Sequence, residues 1–227
     1  MIPLKDDNPT SSRPVVTYFL IGLCVVVFLM QLGSQSYRTG QLFYSYGLIP
    51  SVLMGHDQLP MDLYAIPAYM TIFSSMFMHG GWMHLIGNMW YMKIFADNIE
   101  DNLGSRNFII FYILCGIGAA MAQVLMNTNS QVPMVGASGA IGGVLGAYLI
   151  NHPNARVLVL IPYVIITIIK IRALYVLGFW FILQFISSGG GVAYAAHIGG
   201  FVSGMILILF FNRKTKRKTT VVKGPWG

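Results

Sequence analysis

The sequence predicts an all-α membrane protein: a six-transmembrane-helix bundle whose short central helix starts at Ser138. Three observations carry that prediction. The chain has 227 residues, of which 56% are hydrophobic and only 9% charged, whereas a typical soluble domain is about 25% charged. So few charges cannot clothe a water-facing surface, and a bilayer is the natural solvent for this composition. Six apolar runs are separable, at 14–32, 82–97, 107–126, 138–151, 171–187 and 192–211. Finally, with six spans both termini share one side. Lys5, Arg13, Lys93, Arg106, Arg156, Lys170, Arg172 and the tail residues Arg213, Lys214, Lys216, Arg217, Lys218 and Lys223 fall there, against Arg38 alone opposite. Thirteen cations against one place both termini in the cytoplasm by the positive-inside rule.

Each element follows from local chemistry. Residues 1–13 are polar and form a cytoplasmic N-terminal segment; the bundle occupies 14–211. Pro14 opens the first run, and no small-residue cleavage site follows it, so this reads as a retained helix and not a removed signal. Gly33 to Gly81 carries Pro50, Pro60 and Pro67 among aromatics, too irregular to span, and is expected partly in the membrane interface. The run from Trp82 is broken by His84, Asn88 and Lys93. Asn107 to Met126 is a clean span. Val157 to Ile169 is apolar and β-branched but contains Pro162; it is expected to be a cytoplasmic-side interfacial or re-entrant piece, because a seventh span would move the basic tail outside. Residues 212–227 form a basic cytoplasmic tail that anchors the topology. The net charge of +7 comes largely from that tail, which makes it a placement signal; no nucleic-acid partner is expected. Cys24 and Cys115 lie inside apolar runs and read as packing residues.

Polar side chains within spans are expensive and default to a functional reading. Here they are His84, Asn88, Ser138 and His197, with His79 just before a span. At a rise of ~1.5 Å per residue, Ser138 stands roughly 20 Å above the inner end of its helix, His84 about the same, and His197 about 22 Å. Three costly residues from three separate helices thus reach one level. The helix that begins at Ser138 is too short to cross a hydrocarbon layer ~30 Å thick, so its N-terminus stops inside the membrane. Non-helical backbone at that depth must be buried in protein or face water. Residues 131–137 should therefore line a cavity open to the outside, with Ser138 at its floor.

Ser138 is flanked by Gly136, Ala137, Gly139 and Ala140. Glycines here let the chain turn sharply and let a carbonyl approach. Free N–H groups and the positive end of the helix dipole face the cavity, an arrangement able to hold an oxyanion. A serine needs a base, and His197 is the candidate. Gly139/Gly143 and Gly200/Gly204 are small-xxx-small pairs that allow two membrane helices to approach backbone to backbone; Gly118 in the third span is read as lying outside that seam. No acid stands at this height, so the reading is a dyad and not a triad. Taken singly, each feature has a blander explanation, as a packing serine, a structural histidine or plain helix packing; the joint pattern is harder to dismiss. His84 and Asn88, four residues apart on one helical face, suit oxyanion donors better than metal ligands, since Asn binds zinc poorly and the usual ligand set is missing. No metal is expected. His79 reads as a brace for the loop.

The three motifs His79-Gly80-Gly81-Trp82-Met83-His84-Leu85 with Asn88, Gly136-Ala137-Ser138-Gly139, and Ala196-His197-Ile198-Gly199-Gly200 with Gly204 resemble the rhomboid family of intramembrane serine proteases. That resemblance runs from Tyr46 to Gly204. It implies a Ser138–His197 dyad, oxyanion roles for His84, Asn88 and the Ser138 amide, no cofactor, and single-span membrane proteins as substrates, cut near their outer ends. Two positions depart from the family's usual pattern: Met70-Thr71 stand where Trp-Arg is common, and Gly142 where an aromatic often packs against the catalytic histidine. Either another residue supports His197, or its orientation is looser. Two rival readings are a catalytically dead relative that binds membrane clients, and a small-solute channel or transporter, which a half-helix with polar residues at one depth would also suit. The lack of a transit-like N-terminus points to a prokaryotic plasma membrane. The sequence leaves the oligomeric state open.

Overall fold

The computed structural model describes residues 1–38, 40–162, 166–186 and 193–211. Six helices build the bundle: α1 (Val15–Gly33), α6 (Trp82–Leu103), α7 (Ser105–Met126), α8 (Ser138–Asn151), α9 (Ala173–Ile186) and α10 (Tyr194–Phe211). Between α1 and α6 lie the short helices α2 (Gln35–Arg38), α3 (Gln41–Tyr46), α4 (Pro50–Leu53) and α5 (Thr71–Ser74), with 3-10 turns at Ala68–Met70 and Ser75–Phe77. These short pieces occupy the proline-bearing stretch expected to be irregular. By length and composition α1, α7 and α10 can each cross a membrane. The protein is an integral membrane protein with a predominantly helical fold.

The helix boundaries shift from the sequence reading by one or two residues at several ends, as where the third helix begins at Ser105 and not 107, and further at one. The second helix continues past residue 97 to Leu103, because its last turns are structural and not solvent-facing: Asn98, Ile99, Glu100 and Leu103 are all buried. The fifth helix begins at Ala173, since 171–172 belong to a strand.

The stretch expected to be interfacial or re-entrant carries two paired β-strands. Strands β2 (Arg156–Pro162) and β3 (Ile166–Arg172) pair antiparallel, and β1 (Ile2–Asp6) adds to β2, giving the order β1-β2-β3. Its β-branched residues explain the choice of strand over helix. Burial follows the period of two: Val157 and Val159 are fully buried, whereas Arg156 is exposed. Of the polar residues 1–13, Ile2–Asp6 form the edge strand of this sheet. The basic tail 212–227 lies outside the described residues.

Acidic residues near the end of α6 hold the N-terminal segment. Glu100, 1% exposed, accepts the backbone N–H groups of Val16 at 2.9 Å and Thr17 at 2.8 Å. It also accepts the hydroxyls of Thr17 and Ser105. Pro14 offers no side-chain cap to α1, so a carboxylate from another helix satisfies those orphan donors and meets the positive end of the dipole. Asp101 accepts from both the backbone and the hydroxyls of Ser11 and Ser12.

Asp6 reaches the bottom of α8. Its Oδ2 accepts the Tyr148 hydroxyl at 2.6 Å and the Asn98 side-chain amide at 3.1 Å. Burial pushes the Asp6 carboxyl up from 3.8 to about 6, opposed by the Tyr148 hydrogen bond and reinforced by Asp97. The folded state therefore holds this proton more tightly than the unfolded chain. Its stabilising effect is complete below about pH 4 and is lost as pH rises through about 6. Asp6→Asn should accordingly melt increasingly higher than wild type as pH rises from 4 to 6, with the gap constant above that. Melting temperatures of both proteins across this range check it; a gap independent of pH would refute it.

The core is organised round α8, whose residues from Gly139 to Tyr148 are all buried. Glycine makes this possible. A Cβ on Gly200 would overlap the Gly139 carbonyl oxygen and lie 2.9 Å from its carbon; one on Gly204 would strike Gly143, and one on Gly146 would strike the Phe201 backbone. Helices α8 and α10 therefore meet backbone to backbone along the seam. Gly118 does not stand outside such contacts: a Cβ there would collide with Ser203 of α10, and Gly199 is equally tight against Ala122 and the Gly118 carbonyl. A second glycine seam joins α7 to α10, and the reading of Gly118 as a neutral position is corrected.

Candidate active site

A cavity of about 770 Å³ lies above the start of α8. Its walls include His84 and Asn88 from α6, residues 132–136 of the loop before α8, Ser138, and His197 from α10. The loop is pinned before it reaches Ser138. Leu48 and Met134 exchange two backbone hydrogen bonds, of 3.0 and 2.8 Å, and the Gly136 N–H donates to Ser75 O at 2.8 Å. Gly136 has φ 129°, a conformation costly for any residue with a side chain. A Cβ at that position would stand 2.6 Å from His84 Nε2 and 3.6 Å from Ser138 Oγ. Glycine is required here for both conformation and space, and it brings His84 Nε2 to the same spot as the serine.

Ser138 is the first residue of α8, and Ala137 before it offers no side-chain cap. The leading N–H groups of a helix have no intrahelical acceptor, so they remain for whatever enters the cavity. Ser138 Oγ lies 2.8 Å from His197 Nε2. Gly139, one residue on, would place any Cβ 2.6 Å from the Ala119 methyl, which accounts for a glycine on the packing side of the serine. His84 accepts the Gly80 N–H at Nδ1, 3.3 Å. A neutral imidazole carries one proton, so this fixes it on Nε2, the atom facing Gly136 and Ser138. Asn88 Nδ2 donates to the His84 carbonyl at 3.0 Å, which leaves one amide hydrogen uncommitted by that bond. His79 is fully buried beneath His84, with their rings edge to face at 5.1 Å. It does not join the serine. Its backbone is clamped by Gln31, which accepts the His79 N–H at 3.1 Å and donates to the His79 carbonyl at 3.3 Å.

Ser138, His197, His84 and Asn88 thus surround one cavity, drawn from three helices, with Gly136 and Gly139 shaping its floor. The arrangement supplies a hydroxyl, a base in contact with it, and N–H donors beside it. The comparisons with known proteins bear directly on such a site. The model of the Rhomboid domain matches residues 67–214.

The chain belongs to the rhomboid family.

Among its relatives, RHOMBOID-like protein 5 of Arabidopsis thaliana is 31% identical over 138 residues, which are 60% of this chain and 42% of that protein. Rhomboid protease GluP of Bacillus subtilis is 29% identical over 197 residues, 86% of this chain and 34% of its own length. Rhomboid protein 1, mitochondrial, of Saccharomyces cerevisiae is 24% identical over 93% of this chain and 58% of that one. The chain therefore spans between about a third and three-fifths of these rhomboid relatives.

Two neighbours of His197 were not singled out from the sequence. Trp180 of α9 has its ring centroid 5.7 Å from that of His197, tilted by 35°. It supplies the aromatic support that Gly142 does not; a side chain at Gly142 would instead press on the His197 carbonyl, 3.0 Å from its Cβ. Gln184, one turn further along α9, bonds to His197 Nδ1 at 2.8 Å. Gln123 of α7 accepts the Ala196 N–H at 3.2 Å. The signal was available: Gln31, Gln123 and Gln184 are lone amides in apolar spans, the same kind of costly residue as Asn88.

Proposed function

We propose that this protein is an intramembrane serine endopeptidase that cuts single-span membrane proteins near their outer ends. The observation that carries this reading is Ser138 Oγ at 2.8 Å from His197 Nε2, at an uncapped helix N-terminus inside a cavity. In the reaction, Ser138 Oγ attacks the scissile carbonyl carbon and His197 Nε2 takes its proton. Negative charge moves onto the substrate oxygen, where the Ser138 N–H, the His84 Nε2–H and the Asn88 amide converge as donors. His197 then gives its proton to the leaving amine nitrogen as the C–N bond breaks. The acyl-serine that remains is hydrolysed by a water whose proton His197 accepts, and Ser138 is regenerated. No step calls on a cofactor or metal.

Substrate access from the membrane's outer half follows from the depth of Ser138, one short helix length above the inner end of α8. The thirteen-to-one distribution of basic residues supports cytoplasmic termini, and a prokaryotic plasma membrane is the proposed location. The decisive experiment is labelling of the purified chain by a fluorophosphonate serine-hydrolase probe. Wild type should label, and a reporter fused after Trp226 should read on the cytoplasmic side. A chain that binds membrane clients or passes solutes without acyl chemistry would leave the probe unreacted.

A further inference from the structure

We infer that Gln184 is the positioning residue that sets the tautomer and orientation of the His197 base, a role that rests on the protease reading above. One atom of the Gln184 amide permits only one assignment. Gln184 bonds to the Trp180 carbonyl oxygen at 2.7 Å through Nε2. A carbonyl oxygen only accepts, so the amide nitrogen must face it, and Oε1 must face His197. An amide oxygen likewise only accepts. His197 Nδ1, 2.8 Å away, must therefore carry the ring proton. A neutral imidazole has one such proton, which leaves Nε2 with a free lone pair directed at Ser138 Oγ, 2.8 Å away. The Trp180 carbonyl thus dictates, through Gln184, which nitrogen of His197 acts as base.

The site needs this device because, among the described residues, no carboxylate bonds to the far side of the histidine. Trp180 tilts against one face of the ring, and Tyr194 approaches it edge-on with centroids 6.4 Å apart. Neither contact distinguishes the two ring nitrogens; the Gln184 amide does. The imidazole is otherwise free to carry its proton on Nε2, where it cannot accept from the serine. Gln184 is itself 9% exposed and sits on α9, whose other faces carry the exposed Tyr175, Phe179, Ile182 and Phe185. The base is consequently oriented from a separate, largely lipid-facing helix, and α9 must be seated for Ser138 to be deprotonated.

The test measures kcat, KM and melting temperature of the full chain on a single-span substrate, for wild type, Ser138→Ala, Gln184→Met and Gln184→Glu. Met keeps the length and bulk of Gln but offers no oxygen, so kcat should fall on the order of 10-fold or more while KM stays within about 2-fold. Glu keeps an acceptor for Nδ1–H. Ionised, it accepts directly; protonated, it donates to the Trp180 carbonyl and accepts from His197, as Gln does. Gln184→Glu should therefore retain kcat within about 3-fold of wild type, and this rescue is what a mere packing role would not produce. Gln184→Leu replaces the Met variant should that not fold. A folded Gln184→Met or Gln184→Leu enzyme with wild-type kcat overturns the inference, as does a Glu variant as impaired as the apolar ones. These outcomes are separable from failure of the protease reading itself. In that case wild type and Ser138→Ala behave alike, and the role assigned to Gln184 falls with it.

Discussion

Ser138→Ala is expected to abolish cleavage while leaving the melting temperature near that of wild type. The change removes one oxygen at the floor of a cavity, so no packed core is disturbed; the atom lost is the one proposed to form the acyl bond. The wider series separates the roles round it. His84→Ala removes an N–H donor beside Ser138, and loss of one such donor typically costs ~10²–10³ in kcat. Asn88→Ala should sit at or below the low end of that range. Its Nδ2 is already tied to the His84 carbonyl, and the His84 and Ser138 donors persist without it. Both effects should appear in kcat with little change in KM, because the donors act on charge that develops only in the transition state. Retained proteolysis by purified Ser138→Ala would refute the serine mechanism. A pure KM effect would reassign Asn88 to substrate contact.

The sequence was most legible where cost forced a choice. Ionisable and polar residues in apolar spans are rare enough that His84, Asn88, Ser138 and His197 stood out, and helical rise alone placed three of them at one depth. The glycine pairs of α8 and α10 were equally readable, because a backbone contact tolerates no other residue. What was missed followed a different logic. Gln184 and Trp180 reach His197 across the gap between α9 and α10, which no periodicity within either helix encodes. Val157 to Ile169 stand out locally as an apolar, β-branched stretch interrupted by Pro162, but the strand that pairs with β2 lies at Ile2–Asp6, some 150 positions away. Strand pairing of that range is invisible to local pattern. Gly118 was misjudged for the same reason, since its neighbour Ser203 belongs to a helix far along the chain.

Gly200→Val should cripple cleavage without altering any residue that touches substrate, and it should melt lower than wild type. A Cβ at Gly200 overlaps the Gly139 carbonyl, and backbone, unlike a long side chain, cannot swing aside. The two helices must therefore separate. Gly139 adjoins Ser138, and Gly200 is one helical turn from His197, so the separation falls directly on the 2.8 Å contact between serine and base. Misplacement on the order of 1 Å can cost about 10²-fold in rate, and overpacking typically costs about 1–3 kcal/mol of stability. Gly204→Val strikes Gly143 one turn further from the reacting atoms. It should lose similar stability but less activity, and that gradient distinguishes a displaced dyad from general unfolding. Gly143→Val presses on the Cys115 side chain of α7 and tests the other flank of α8. Gly118→Ala is expected to destabilise through Ser203. Gly22 is the neutral control: a methyl added there meets no atom within 4 Å among the described residues, and Gly22→Ala should match wild type in both readouts. Should Gly200→Val cleave and melt like wild type, the seam is not what brings Ser138 to His197. If Gly200→Val and Gly204→Val lose activity equally at equal loss of melting temperature, stability alone accounts for both.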